Sequence, residues 1–171
     1  NYRNLNPFQF FLDPYTFQQG NPNLKPEINN NVELSHIWNG KITTTLNYSL
    51  TSDVIASLLK QNTADKTTYK TTDNLNTLDN IGISVSAPIS IKKWWITNVY
   101  ANLLNNHYKG TYQNDPLNVS VTTFLFNMTN TFTIKKGLTA ELSGFYRTKG
   151  IGDGGLFIVN PIYTVNAGVS K

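Results

Sequence analysis

Lys41-Ile42-Thr43-Thr44-Thr45-Leu46-Asn47-Tyr48-Ser49-Leu50 decides the fold. Four of its even positions, Ile42, Leu46, Tyr48 and Leu50, are apolar or aromatic, and its odd positions, Lys41, Thr43, Thr45, Asn47 and Ser49, are all polar. A period of two sends alternate side chains to opposite faces of an extended chain, so this stretch is a strand with one apolar and one wet face. The same pattern recurs downstream. Ile81, Ile83, Val85, Ala87, Ile89 and Ile91 alternate with Gly82, Ser84, Ser86, Pro88 and Ser90. Phe124, Phe126, Met128, Phe132 and Ile134 oppose Thr123, Asn127, Thr129, Thr131 and Thr133; Leu138, Ala140, Leu142 and Tyr146 oppose Thr139, Glu141, Ser143 and Arg147. Tyr163, Val165, Ala167 and Val169 complete the series against Thr164, Asn166, Gly168 and Ser170. No stretch shows a comparable helical period.

The breaks between strands are of two kinds. Asn39-Gly40, Lys92-Lys93 and Lys135-Lys136-Gly137 are tight and suited to hairpin turns. The stretches from Gln61 to Lys66, Lys109 to Pro116 and Gly150 to Gly155 are longer and polar. Tight and long breaks alternate, which predicts all tight turns at one end of an antiparallel sheet. Outer-membrane barrels have this asymmetry, with short periplasmic turns and longer extracellular loops. The expected fold class is therefore all-β, an antiparallel up-and-down meander forming part of a larger transmembrane β-barrel. It has about seven long strands over 28–38, 41–61, 66–91, 94–109, 116–134, 138–150 and 156–171. Several exceed the roughly 9–11 residues that cross a bilayer.

Composition agrees. Charged residues make up only 14% of the chain, against roughly a quarter in soluble proteins. Asn and Thr, both poor helix formers, supply 24 and 21 of the 171 residues. The longest apolar run, Val54 to Leu59 interrupted by Ser57, is far below the ~20 residues of a membrane-spanning helix. Any membrane crossing is by strands. The net charge of +4 comes from scattered lysines, without the dense basic stripe of a nucleic-acid binder, so no nucleic-acid partner is expected. With no Cys there is no disulfide, thiolate metal site or Cys nucleophile. A start without Met or signal peptide suggests a piece of a longer protein.

The opening segment is the most specific. Asn6-Pro7-Phe8, Asp13-Pro14-Tyr15 and Gly20-Asn21-Pro22-Asn23-Leu24-Lys25-Pro26-Glu27, running into Val32-Glu33-Leu34, resemble the loop-into-strand motif of TonB-dependent-receptor-like outer-membrane β-barrels, especially the Bacteroidota type. The resemblance implies that residues 1–27 are an extracellular loop segment carrying the G-N-P-N-L-K-P-E string, and that 28–171 form a partial barrel, a fragment of its C-terminal half. It implies a location in the cell outer membrane of a Gram-negative bacterium, and uptake of a nutrient or metal chelate. The partners it implies are outer-membrane lipid, the plug and remaining strands of a parent barrel of about 22 strands, and TonB-type energy coupling through that plug.

Candidate chemistry is sparse. His36 and His107 stand apart, neither at metal-ligand spacing from a carboxylate. Glu27, Glu33 and Glu141 are dispersed, and no G-x-S-x-G elbow occurs. Gly150 to Gly155 lacks the Lys-Ser/Thr ending of a phosphate loop. Asn47-Tyr48-Ser49, Asn118-Val119-Ser120 and Asn127-Met128-Thr129 match a glycosylation pattern inside strands and read as chance. The expectation is no enzyme: catalytic, metal and cofactor-binding residues are none, and ligand-binding residues stay unassigned. Trp38, Trp94 and Trp95 beside the tight turns fit an aromatic girdle. Glu33, Glu141 and Arg147 fall on the wet face, toward a lumen. The rival reading, a soluble or cell-surface all-β binding or adhesin module, explains the alternation but not strands of about 20 residues.

Overall fold

The computed structural model describes residues 2–112, 114–135, 137–152 and 156–171. Seven long strands follow one another as antiparallel neighbours: β3 (Ile28–Trp38), β4 (Ile42–Asn62), β5 (Thr67–Lys92), β6 (Trp95–Tyr112), β7 (Asp115–Lys135), β8 (Leu138–Arg147) and β11 (Ile162–Ser170). This is the expected meander. Before it lie a four-residue helix α1 (Tyr2–Leu5) and two short strands, β1 (Phe10–Asp13) and β2 (Thr16–Gln18). Between β8 and β11 a small separate ladder joins β9 (Gly150–Ile151) to β10 (Ile158–Val159), so the expected strands 138–150 and 156–171 are each interrupted. Pro161, which has no N–H for a ladder, stands between β10 and β11. No described helix is long and apolar enough to cross a membrane.

The tight turns cluster at one end of the sheet, the turn end. Asn39 (φ 51°) and Gly40 (φ 65°) both adopt the left-handed conformation that a type I′ hairpin requires, closed by the Lys41 N–H on the Trp38 carbonyl at 3.1 Å. The second connection is Lys93-Trp94, one residue later than the sequence suggested, because Lys92 pairs with Trp95. In the third, Lys135 pairs with Leu138 and Gly137 has φ 81°, while Lys136 lies outside the described residues.

At the far end the expected long break at Lys109–Pro116 is corrected. The β6–β7 ladder continues through Gly110↔Leu117 and Thr111↔Pro116 to Tyr112↔Asp115. Local breakers are outweighed here because Tyr108, Tyr112 and Leu117 have apolar partners. These residues, with Leu78 and Leu156, pack against a buried cluster of Val54, Ala56, Leu58 and Leu75. Above the Thr77↔Lys109 pair the β5–β6 ladder stops while β4–β5 runs on to Asn62↔Thr67, so the two outer hairpins part. The β5 edge freed in this way is taken by β2 in parallel, Thr16↔Thr68 to Gln18↔Lys70, the one parallel pairing among the described residues.

Register sorts the side chains into two faces. One row, His36–Thr44–Val85–Ala101–Phe126–Tyr146–Tyr163, crosses all seven long strands. The next row on the same face is Leu34–Leu46–Ile83–Leu103–Phe124. Leu34 is 67% exposed and Leu103 46%. A water-soluble sheet would bury these rows. The apolar band on β5 runs from Ile81 to Ile91, roughly 33 Å of strand, or about 25 Å in height at a 40° tilt, the thickness of an outer-membrane apolar band. Beyond it the same face turns polar, with Asp79, His107 and Ser120 in one row and Asn105 and Thr122 in the row before it.

The opposite face is polar on β4 and β5 along the band and mixed on β6, β7 and β8, where Tyr100, Leu104, Leu125 and Phe145 stand among Asn, Thr and Ser. Asn47 donates to Asn80 at 3.0 Å and Asn80 to Asn106 at 2.6 Å, an amide chain across β4, β5 and β6 that gives the asparagine richness a structural use. Glu33, Glu141 and Arg147 lie on this face by register, as the alternation placed them. Leu78 and Tyr108 continue the same face at the far end, so the buried cluster caps the polar side of the sheet.

Candidate functional site

The G-N-P-N-L-K-P-E string is a clamp. Gly20 sits where an added Cβ would lie 2.6–2.7 Å from the carbonyl oxygens of Arg3, Asn4 and Asn6, so only glycine fits beneath α1. Its N–H donates to the Asn6 carbonyl at 2.8 Å, and that of Asn21 to the Asn4 carbonyl at 2.7 Å. The Asn21 side chain donates to Asp73 at 3.3 Å. Asn74 Oδ1 accepts from the Lys25 N–H at 2.8 Å, and its Nδ2 donates to the carbonyls of Lys25 (3.1 Å) and Asp53 (2.6 Å). Glu27 Oε2 accepts the Ile55 N–H at 3.1 Å. The clamp thus closes on Asp53, whose φ of 50° is left-handed and marks where β4 begins its outer stretch. A side-chain amide bridging two strands compensates for such a backbone irregularity.

The β1–β2 hairpin is held by its own turn chemistry. Asp13 accepts the Tyr15 N–H at 2.8 Å, and that bond, with Thr16 adding to it, holds the Asp13 carboxyl below the usual carboxylate range. Phe17, 7% exposed, stacks on Tyr69 with ring centroids 4.9 Å apart. Burying one aromatic face fixes β2 on β5.

Two adjoining cavities open between this N-terminal segment and the outer hairpins. The larger, about 670 Å³, is lined by Tyr2, Arg3, Asn6, Phe10, Gln18 and Lys70, among others. Its lining offers amides, hydroxyls and two cations and no carboxylate. The smaller, about 250 Å³, is lined by Leu58, Leu59, Tyr112, Leu117, Leu156 and Phe157, together with Ser57 and Lys70, which border both. The Tyr112 hydroxyl donates to the Leu59 carbonyl in its wall. Nearby lysines are committed, Lys60 to Asp73 at 2.9 Å and Lys109 to Asp79 at 3.6 Å, whereas Lys70 is in no ion pair among the described residues. A cation at the boundary of a polar and an apolar chamber suits an anionic or polar ligand with an apolar portion.

The residues singled out in the sequence do not converge. His36 is exposed on the apolar face, and His107 Nε2 shares a 2.6 Å hydrogen bond with Asn118 Oδ1. The described residues hold no group of three His, Cys, Asp or Glu side chains placed for a metal. Gly150 and Ile151 form β9, while Asp153, Gly154 and Gly155 lie outside the described residues. Asn47, Asn118 and Asn127 lie within β4 and β7. Arg147 Nε is shielded from solvent with no hydrogen-bond partner among the described residues. Ser57, Lys70, Asp53 and Asn74 were not singled out. Asp53, a charge directly before the apolar run Val54 to Leu59 on β4, was the one available signal.

Comparison with known proteins gives one match. A family model described as an outer membrane protein beta-barrel family covers residues 1–171. No curated protein and no solved structure matches the chain.

Proposed function

The chain belongs to the outer membrane protein beta-barrel family, and from that premise we propose that it is a wall segment of a TonB-dependent-receptor-like transporter that takes up a nutrient or metal chelate. It resides in the outer membrane as β-barrel strands. The observation that carries the reading is the exposed apolar band about 25 Å tall, continuous across seven strands and ending near the two-chambered far end. Lipid covers the band. The cavities receive ligand from outside, and the polar face lines its path.

The edges of β3 and β11 carry backbone groups that no described strand pairs. In hydrocarbon each such group costs several kcal/mol, so further strands of the same barrel are the natural neighbours. A plug inside the barrel would couple the wall to a TonB-type partner, and the protein performs no bond chemistry. The soluble-adhesin reading is disfavoured by the same band, which would leave rows such as Leu34–Leu46–Ile83 in water.

Two experiments test this. Deleting the gene, and separately the energy-coupling partner, should each abolish uptake of one nutrient or chelate by the source cells. Uptake that persists without the partner would sink energy coupling. Orientation is read from single cysteines in the complete gene product on intact cells. A membrane-impermeant thiol reagent should label Ala64→Cys and Asn114→Cys and spare Lys93→Cys; the reverse pattern would invert the topology.

A further inference from the structure

Charge is divided unequally between the two ends of the sheet. On the turn side of the Val85–Ala101–Phe126–Tyr146 row stand, among the described residues, Lys41, Lys92, Lys93, Lys135 and Lys171, against one acid, Glu141. Glu141 lies on the polar face, in a row with Ser90, Ile96 and Thr131, away from the apolar band. Lys41, Lys92, Lys93 and Lys135 are exposed and in no ion pair among the described residues. At the far end, by contrast, Asp65, Asp73, Asp79 and Asp115 are interspersed with the lysines, and Lys60 and Lys109 each have an aspartate partner, while Lys70 has none among the described residues.

Aromatic side chains sit directly beside these lysines. Trp94 and Trp95 have ring centroids 6.1 Å apart, and Phe132 lies 6.2 Å from the first and 5.5 Å from the second. The cluster is pinned from below. Asn130, 6% exposed and on the apolar face, accepts from Trp95 Nε1 at 3.0 Å and from the Thr97 hydroxyl at 2.7 Å, and its own amide donates to the Leu142 carbonyl at 3.3 Å. A polar residue in the apolar band is thereby satisfied, and the indole is fixed. Trp38, at the neighbouring turn, is 63% exposed.

Indoles favour the boundary between hydrocarbon and headgroups, and unpaired ammonium groups just beyond them reach the phosphate layer. We propose that this collar of lysines and aromatic rings binds the headgroups of anionic phospholipid in the leaflet around the turn end, in preference to zwitterionic lipid. The occupant follows from charge complementarity and depth: a row of uncompensated cations, fixed at the edge of a lipid-covered band, meets lipid phosphate before any other anion. The proposal rests on the lipid-facing band and is independent of uptake.

The test uses the complete gene product in phosphatidylcholine bilayers with spin-labelled phosphatidylglycerol or phosphatidylcholine, reading the motionally restricted fraction of each label. Phosphatidylglycerol should be restricted preferentially, by up to about fivefold at a lysine contact in low salt. The preference should shrink strongly at about 0.5 M salt, where the screening length falls to a few ångströms. Replacing Lys41, Lys92, Lys93 and Lys135 together by Gln should bring the ratio to parity, replacing them by Arg should retain it, and Lys60→Gln with Lys109→Gln should leave it unchanged. Heat-dependent gel migration reports whether each variant folds, and the wild-type salt titration needs no variant. Parity in the wild type, indifference to salt, or a preference that survives the Gln substitutions would each overturn the proposal. So would wild-type parity together with protection of these lysines from acetylation by a soluble polyanion, which would assign the collar to a soluble acidic partner.

Discussion

Phe126→Arg is expected to cost the folded barrel about 2–4 kcal/mol, and Thr129→Arg much less, although the two sites lie three residues apart on one strand. Phe126 shares its row with Val85, Ala101 and Tyr146, the apolar face, and Thr129 shares its row with Asn98 and Ser143, the polar one. Depth sharpens the contrast. Phe126 is six residues from Phe132 in the aromatic cluster, roughly 20 Å of strand and about 15 Å of depth at a 40° tilt, close to the middle of the band. A guanidinium there has neither water nor phosphate within easy reach, whereas at Thr129 it meets polar neighbours and an aqueous interior. Urea titration of the complete gene product in bilayers measures both costs. Equal losses would refute the face assignment.

Leu75→Ala should produce the second large loss, at the lower end of the roughly 2–5 kcal/mol range for emptying a core leucine. Leu75 is 1% exposed and contacts both outer hairpins through the cluster it forms with Val54, Ala56 and Leu58. The cluster is small and borders the apolar cavity, so its walls have room to relax. The loss should stay local, because the β5–β6 ladder ends at Thr77↔Lys109 and beyond it the β4–β5 and β6–β7 hairpins each run on without a ladder between them. Hydrogen exchange should lose protection over 54–59 and 108–117 and keep it over 43–50 and 81–86. Protection lost throughout would mean that wall and cluster unfold as one unit.

Alternation made the wall legible. A strand that separates lipid from water writes its environment into every second residue, so β3, and the faces of β4, β5 and β7, could be read from Ile28–Trp38, Ile42–Leu50, Ile81–Ile91 and Phe124–Ile134. Residues whose environment is set by distant partners were not legible. Asn114, Asp115 and Pro116 look like a loop locally, yet Asp115 and Pro116 are strand because Leu117 packs on Val54–Leu58 from another hairpin. Asn130 is polar on an apolar face, tolerated only because Trp95 and Thr97 satisfy it. The cavity was hidden for the same reason: Gln18, Ser57 and Lys70 come from separate strands, and none has a motif of its own. The G-N-P-N-L-K-P-E string was recognisable as a pattern, but its targets, Asp73, Asn74 and the Ile55 amide, are long-range.

The parallel seat of β2 on β5 has a consequence in time. Residues 16–18 are synthesised before residues 68–70 exist, and they seat on the edge of β5 opposite the one that β4 takes. The stretch made first therefore needs a later-made strand to seat on. A parallel pairing across some fifty residues closes a large loop for three residues of ladder, a slow step compared with zipping a hairpin. Until it is complete, the larger cavity lacks its Gln18 and Phe10 wall, so the outer chamber depends on a contact that hairpin zipping alone does not supply.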